Sequence, residues 1–101
     1  MLTFLKSVFG GAKGEDFTAL RSAGAVIIDV RSPGEFAGGH ASGAINIPLD
    51  TIESKVSTIK KYKKPVILCC ASGMRSGRAR AILASNGIAD LHDAGSWKYL
   101  Q

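Results

Sequence analysis

Two apolar runs, Ala25-Val-Ile-Ile-Asp-Val30 and Pro65-Val-Ile-Leu-Cys69, constrain this chain more than any other feature. Both are near-continuous rather than alternating, the pattern of a strand buried on both faces. Helical patterns lie between and after them. Alternation of that kind predicts an α/β fold with a largely parallel sheet. A length of 101 residues allows one such core, and no separate nucleotide-binding and substrate domains.

Local signals fill in the elements. Leu2, Leu5, Val8 and Phe9 fall at helical spacing, so residues 1–14 read as an amphipathic arm ahead of a domain over residues 15–101. Glu15 to Ser22 reads as a short helix. Ser32-Pro33-Gly34-Glu35 reads as a helix start, with Ser32 as cap, Pro33 at the first helical position and Glu35 closing a capping box. Ala44 to Ile47 is a brief strand stopped by Pro48, and Asp50 is placed to cap a helix reaching about Tyr62. The helix after residue 75 ends at Gly87, a left-handed cap followed by the apolar contact of Ile88. A short strand around Asp90 to His92 and a turn at Ser96 to Leu100 follow.

Composition narrows the function classes. The chain is 46% hydrophobic and 21% charged, so most of it has the apolar content of a folded domain. Its longest apolar run, Val66 to Ala71, is too short to span a membrane. The N-terminal stretch is broken by Lys6 and Ser7 and does not read as a secretory signal, so the expected compartment is the cytoplasm. Thirteen basic and eight acidic residues give a net charge of +5. The basic residues are dispersed apart from Lys60-Lys61-Tyr62-Lys63-Lys64, which suits a helix C-terminus and is no nucleic-acid footprint. Cys69 and Cys70 are adjacent, too close for a structural disulfide. No ligand spacing supports a metal site built from them with His40 and His92, and the expectation is no metal or organic cofactor.

The chemistry concentrates in Val66-Ile-Leu-Cys-Cys-Ala-Ser-Gly-Met-Arg-Ser76. Its order is buried strand, cysteine, small-residue loop, arginine, helix. A strand ending in a tight loop that opens a helix turns several backbone N–H groups inward, and such a nest binds anions. A cysteine there lies in a positive field from the helix N-terminus and from Arg75, which favours the nucleophilic thiolate.

Together with the first half of the chain, this loop completes a longer pattern: Asp29-Val-Arg31, Glu35-Phe36, Gly39-His40, Gly43-Ala-Ile-Asn-Ile-Pro48, then Cys70 to Ser76 and Trp97. On these residues the chain resembles a single-domain rhodanese, a sulfurtransferase, over about residues 15 to 101. The resemblance implies a rhodanese-like, mostly parallel sheet of about five strands flanked by helices. It also implies attack of a thiolate on the outer sulfur of a sulfane donor such as thiosulfate, a cysteine persulfide, and transfer to an acceptor. Cys70 matches the nucleophile. Ala71, Ser72, Gly73 and Met74 match the loop whose amides hold the persulfide and donor. Arg75 closes the loop and would neutralise the donor. Active rhodaneses often carry Arg or Lys directly after the cysteine, and Ala71 departs from that, which suggests weaker thiosulfate binding or another donor. Asp29, Arg31 and Ser76 would support the site, with Arg31 and Glu35 able to pair near the helix start. His40 reads as a hydrogen-bonded structural histidine, His92 as a surface residue, and Trp97 as core or the edge of a lid. The implied partners are a small-molecule sulfur donor and an acceptor that is cyanide, a small thiol or a partner protein's cysteine.

Three other readings stay open. Counting from Cys69 gives C-x5-R, a loop similar to that of cysteine-dependent phosphatases and arsenate reductases. Some rhodanese domains are non-catalytic binding modules. A Cys69–Cys70 disulfide would make a redox sensor. Strand geometry bears on the first, because adjacent side chains point to opposite faces and one cysteine alone can face the pocket.

Overall fold

The computed structural model describes residues 16–101. The arm expected over residues 1–14 lies outside the described residues, and the helix expected from Glu15 begins only at Thr18, with Asp16 and Phe17 outside it. The chain runs through α1 (Thr18–Ser22), β1 (Val26–Asp29), α2 (Pro33–Ala37), β2 (Ile45–Asn46), a 3-10 turn (Leu49–Lys55), α3 (Val56–Tyr62), β3 (Val66–Cys70), α4 (Met74–Ser85), β4 (Leu91–Ser96) and a second 3-10 turn (Trp97–Leu100). The sheet order is β2-β1-β3-β4, and every pairing is parallel.

The two apolar runs become the two central strands, and the reason is visible in how they split. Along β3, Val66, Leu68 and Cys70 enter one core cluster, with Ile28 and Val30 of the β1 run, Ile52, Ile59, Ala79 and Leu83. Ile67 and Cys69 enter the other, with Ile27, Phe17, Ala41, Ala94 and Leu100. A strand with apolar side chains on both faces joins two cores at once, and each such side chain stabilises the fold by roughly 1.5–3 kcal/mol when fully buried.

Several expectations hold at residue level. Ser32 Oγ accepts from the Glu35 N–H while the Glu35 carboxylate accepts from the Ser32 N–H, closing the capping box. Gly87 is left-handed, and the Ile88 N–H bonds back to the Leu83 carbonyl at 3.1 Å.

Others are corrected. The described sheet has four strands rather than about five. Asp50 caps nothing: the Leu49 N–H bonds to the Val30 carbonyl at 3.1 Å, which ties the segment to β1, and the turn starts there, one residue earlier, as a 3-10 helix. The last strand runs from Leu91 to Ser96 rather than Asp90 to His92, through a register shift opposite Leu68 and Cys69. Its sequence, LHDAGS, has no apolar run to announce it. These strands bring the segments after β1 and β3 together at one end of the sheet, where open α/β folds place their ligands.

Candidate active site

Cys70 ends β3, and its side chain is buried at 1% exposure. Residues 71–73 turn sharply, and Gly73, at φ +113°, hands the chain to α4. A side chain would be strained in that conformation, so glycine is required there. The turn carries the Gly73 N–H to 2.9 Å from Cys70 Sγ. In the thiol form the S–H donates to Ser76 Oγ at 3.4 Å, and the Ser76 hydroxyl donates to the Gly73 carbonyl at 3.2 Å. On ionisation the hydroxyl can rotate and donate to sulfur instead.

Burial pushes the Cys70 thiol up. Hydrogen bonds from Ser76, through side chain and backbone, and from the Gly73 and Ser72 backbones outweigh it, so the pKa falls below its ordinary value of 9.0. Hydrogen bonds to the charged form favour that form. Cys69 is the opposite case. Its side chain lies on the other face among Phe17, Ile27 and Ala94. Burial first, then the nearby Asp29 carboxylate, raises its pKa to about 12.

The loop residues are disposed unequally. Ala71, Ser72 and Met74 are exposed, Met74 at 75%, and Ser76 is buried. Arg75 does not point its charge freely at the loop. Its guanidinium grips Glu35 at both ends, Nη1 to Oε1 at 2.7 Å and Nη2 to Oε2 at 3.0 Å. Glu35 in turn is the leading cause of the raised Arg75 pKa, with Cys70 a minor one. The Arg75 hydrogen bonds, followed by those of Ser32, hold the Glu35 carboxyl down at about 2.

The anticipated Arg31–Glu35 pair is therefore not formed. Arg31 is taken by Asp29: Nη2 donates to Oδ2 at 2.8 Å and Nε to both carboxylate oxygens at 3.0 Å. Arg31 Nη2 also reaches the Gly39 carbonyl at 2.7 Å, and the guanidinium lies over the Trp97 ring at 4.7 Å. Asn46 Nδ2 bonds to the carbonyls of Asp29 and Arg31. The hydrogen bonds of this buried pair tie β1 to the segments at 39 and 46, not to residues 71–75. His40 Nδ1 lies 2.8 Å from the Phe36 carbonyl, and its ring stacks on Phe36. His92 Nε2 sits 2.8 Å from Asp90 Oδ1. Among the described residues, no three His, Cys, Asp or Glu side chains converge as metal ligands.

Sequence reasoning gave Glu35 a cap and a pairing with Arg31, and missed Arg75. That partner follows from the adjacency of β1 and β3, which places α2 beside the start of α4, and strand order is not written in local sequence.

A family described as "Rhodanese-like domain" matches residues 14–98. The chain belongs to the rhodanese-like family. The uncharacterized protein YqhL of Bacillus subtilis is 45% identical over 69 residues, 68% of this chain and 54% of its own length. The chain thus spans about half of that relative. The thiosulfate sulfurtransferase PspE of Escherichia coli is 36% identical over 72 residues, covering 70% of this chain and 69% of PspE. Among solved structures, a rhodanese with anions from E. coli superposes with a TM-score of 0.69 at 34% identity, over 74% of this chain and 89% of that one. Human single-domain sulfurtransferase TSTD1 gives 0.67 at 28% identity, over 81% and 85%. The fold expected from the sequence, an α/β rhodanese sheet flanked by helices, is the fold observed. Among the described residues, no helix is long and apolar enough to cross a membrane.

Proposed function

We propose that this rhodanese is a sulfurtransferase that carries sulfane sulfur as a persulfide on Cys70. The observation that carries the reading is the Gly73 N–H at 2.9 Å from Cys70 Sγ, with Ser76 behind it. Those donors lower the thiol's pKa, and the thiolate is the attacking species. The thiolate attacks the outer sulfur of thiosulfate. A Cys70 S–S bond forms, the donor's S–S bond breaks, and sulfite leaves with that electron pair. The persulfide anion inherits the hydrogen-bond donors of the loop. An acceptor nucleophile, cyanide or a thiolate, then attacks the outer sulfur and releases the Cys70 thiolate. Ala71, Ser72, Gly73, Met74 and Arg75 form the proposed donor subsite and Ser76 its direct support, while Asp29 and Arg31 act at one remove, by fixing the end of β1 beside it.

Relatives named as thiosulfate sulfurtransferases support the substrate class. No observation favours phosphatase chemistry on Cys69, which faces away from the loop and has its thiol held protonated. Intact-protein mass after brief thiosulfate treatment tests the reading. The expected result is one added sulfur atom, lost on adding cyanide. An unchanged mass with every sulfane donor tried would overturn it.

A further inference from the structure

The rim of the loop carries an ion pair that fold stability does not require. Arg75 and Glu35 are 37% and 38% exposed, and exposed pairs contribute little to stability. Yet Glu35 is held from three directions: by both nitrogens of the Arg75 fork, by the Ser32 N–H and by the Ser32 hydroxyl, at 2.7–3.0 Å. It is a fixed carboxylate set against the one cation of the loop motif.

The consequence is a matter of charge. Ala71 leaves Arg75 as the loop's sole charged side chain, and Glu35 cancels it. Beside the loop lies a cleft of about 360 Å³ lined by Val30, Ser32, Pro48, Leu49, Asp50 and Arg75. Among the described residues, no cation pairs with Asp50. The side chains here thus offer one cation, already neutralised by Glu35, with the Asp50 carboxylate on an otherwise mostly apolar wall. Thiosulfate is a dianion, and it loses the attraction that a free guanidinium would add to that of the loop amides.

We infer that Glu35, by closing Arg75 into an ion pair, sets donor preference at this site, disfavouring small dianions and favouring sulfane donors of lower charge with an apolar body. This rests on the sulfurtransferase reading of Cys70. Glu35 is a positioning residue here. It touches no reacting atom and acts through Arg75. The loading step is the same for both donor classes. With a thiosulfonate monoanion, the Cys70 thiolate takes the outer sulfur and a sulfinate leaves with the electron pair.

Glu35→Gln tests this, because glutamine still fills the capping box while the charge is gone. Second-order rate constants for persulfide formation on Cys70 are read by mass from thiosulfate and from benzenethiosulfonate. Glu35→Gln should raise the thiosulfate-to-thiosulfonate ratio about three- to tenfold at low salt. The gain should appear in apparent affinity, not in the saturated rate, and vanish in high salt. Arg75→Met, which leaves Glu35 uncompensated, should move the ratio the other way, and the double variant should return it towards wild type. A ratio unmoved in both single variants, while both donors load, overturns the inference and leaves the sulfurtransferase reading standing. Wild type that loads from neither donor overturns both.

Discussion

Cys69 and Cys70 are neighbours on one strand and are buried alike, at 0% and 1% exposure. Their acidities nevertheless part in opposite directions, Cys69 up to about 12 and Cys70 below 9.0. Burial therefore does not decide which sulfur is reactive. Direction does: β3 turns one side chain into an apolar cluster beside Asp29, and the other towards a helix start whose amides and serine donate to it. Desolvation alone raises a thiol pKa, and several donors aimed at one sulfur reverse it.

The largest effect should come from removing either sulfur in turn. Cys70→Ser should abolish persulfide formation, because serine cannot carry it. Cys69→Ser should load normally yet unfold earlier, since it buries a hydroxyl in an apolar cluster at a cost of about 1–3 kcal/mol. Intact mass and urea midpoints separate the two. Loading that survives in Cys70→Ser and dies in Cys69→Ser would reverse the assignment.

Next is Ser76→Ala, which deletes the leading favourable contact to the Cys70 thiolate while keeping the helix. The iodoacetamide alkylation pKa of Cys70 should rise, and the alkylation rate at neutral pH should fall by on the order of tenfold, the worth of one hydrogen bond to a charged group. The two proteins should converge at high pH, where both sulfurs are ionised. A parallel offset at every pH would mean that Ser76 shapes access to the sulfur and not its charge.

Cys69 makes a smaller, pH-dependent contribution of known sign. Unfolded, its thiol ionises near 9.0; folded, near 12. Between those values the unfolded chain holds fewer protons, so stability falls as pH rises from about 9 towards 12. The depressed Cys70 pKa acts oppositely: its contribution is present above the ordinary thiol value and is lost as pH falls through the folded one. Cys69→Ala should flatten the alkaline loss in a pH series of thermal melts, and an equally steep loss would place its origin in other groups.

What the sequence disclosed follows the same division between local and non-local. The strands rich in β-branched residues, the Ser32–Glu35 box, the Gly87 cap and the strand–loop–helix around Cys70 are local patterns, legible as such. The alternation of a strand also foretold that Cys69 and Cys70 face opposite ways. The partner of Arg75 was not legible, because it depends on which strands lie side by side. Arg31 finds Asp29 two residues away, reinforced by Gly39 and Trp97, and Arg75 crosses forty positions to Glu35. The last strand was underread because β4 is held by pairing with β3 and not by its own composition.

Arg75→Met should give the smallest change in Cys70 acidity, and it sharpens the comparison most. From sequence alone, Arg75 is the obvious source of the positive field around the nucleophile. In the structure its charge is met by Glu35 at 2.7 and 3.0 Å, and hydrogen bonds from Ser76, Gly73 and Ser72 are what lower the Cys70 pKa against burial. Iodoacetamide is uncharged, so its rate against pH reports thiolate formation without donor attraction. The alkylation pKa of Arg75→Met should stay within about half a unit of wild type, because the guanidinium is partly exposed, its coupling to Cys70 is minor and solvent screens the charge that the substitution removes. A rise as large as that of Ser76→Ala would show that the guanidinium field reaches the sulfur despite Glu35. Cys70 would then owe its acidity to charge as much as to the donors of its own loop.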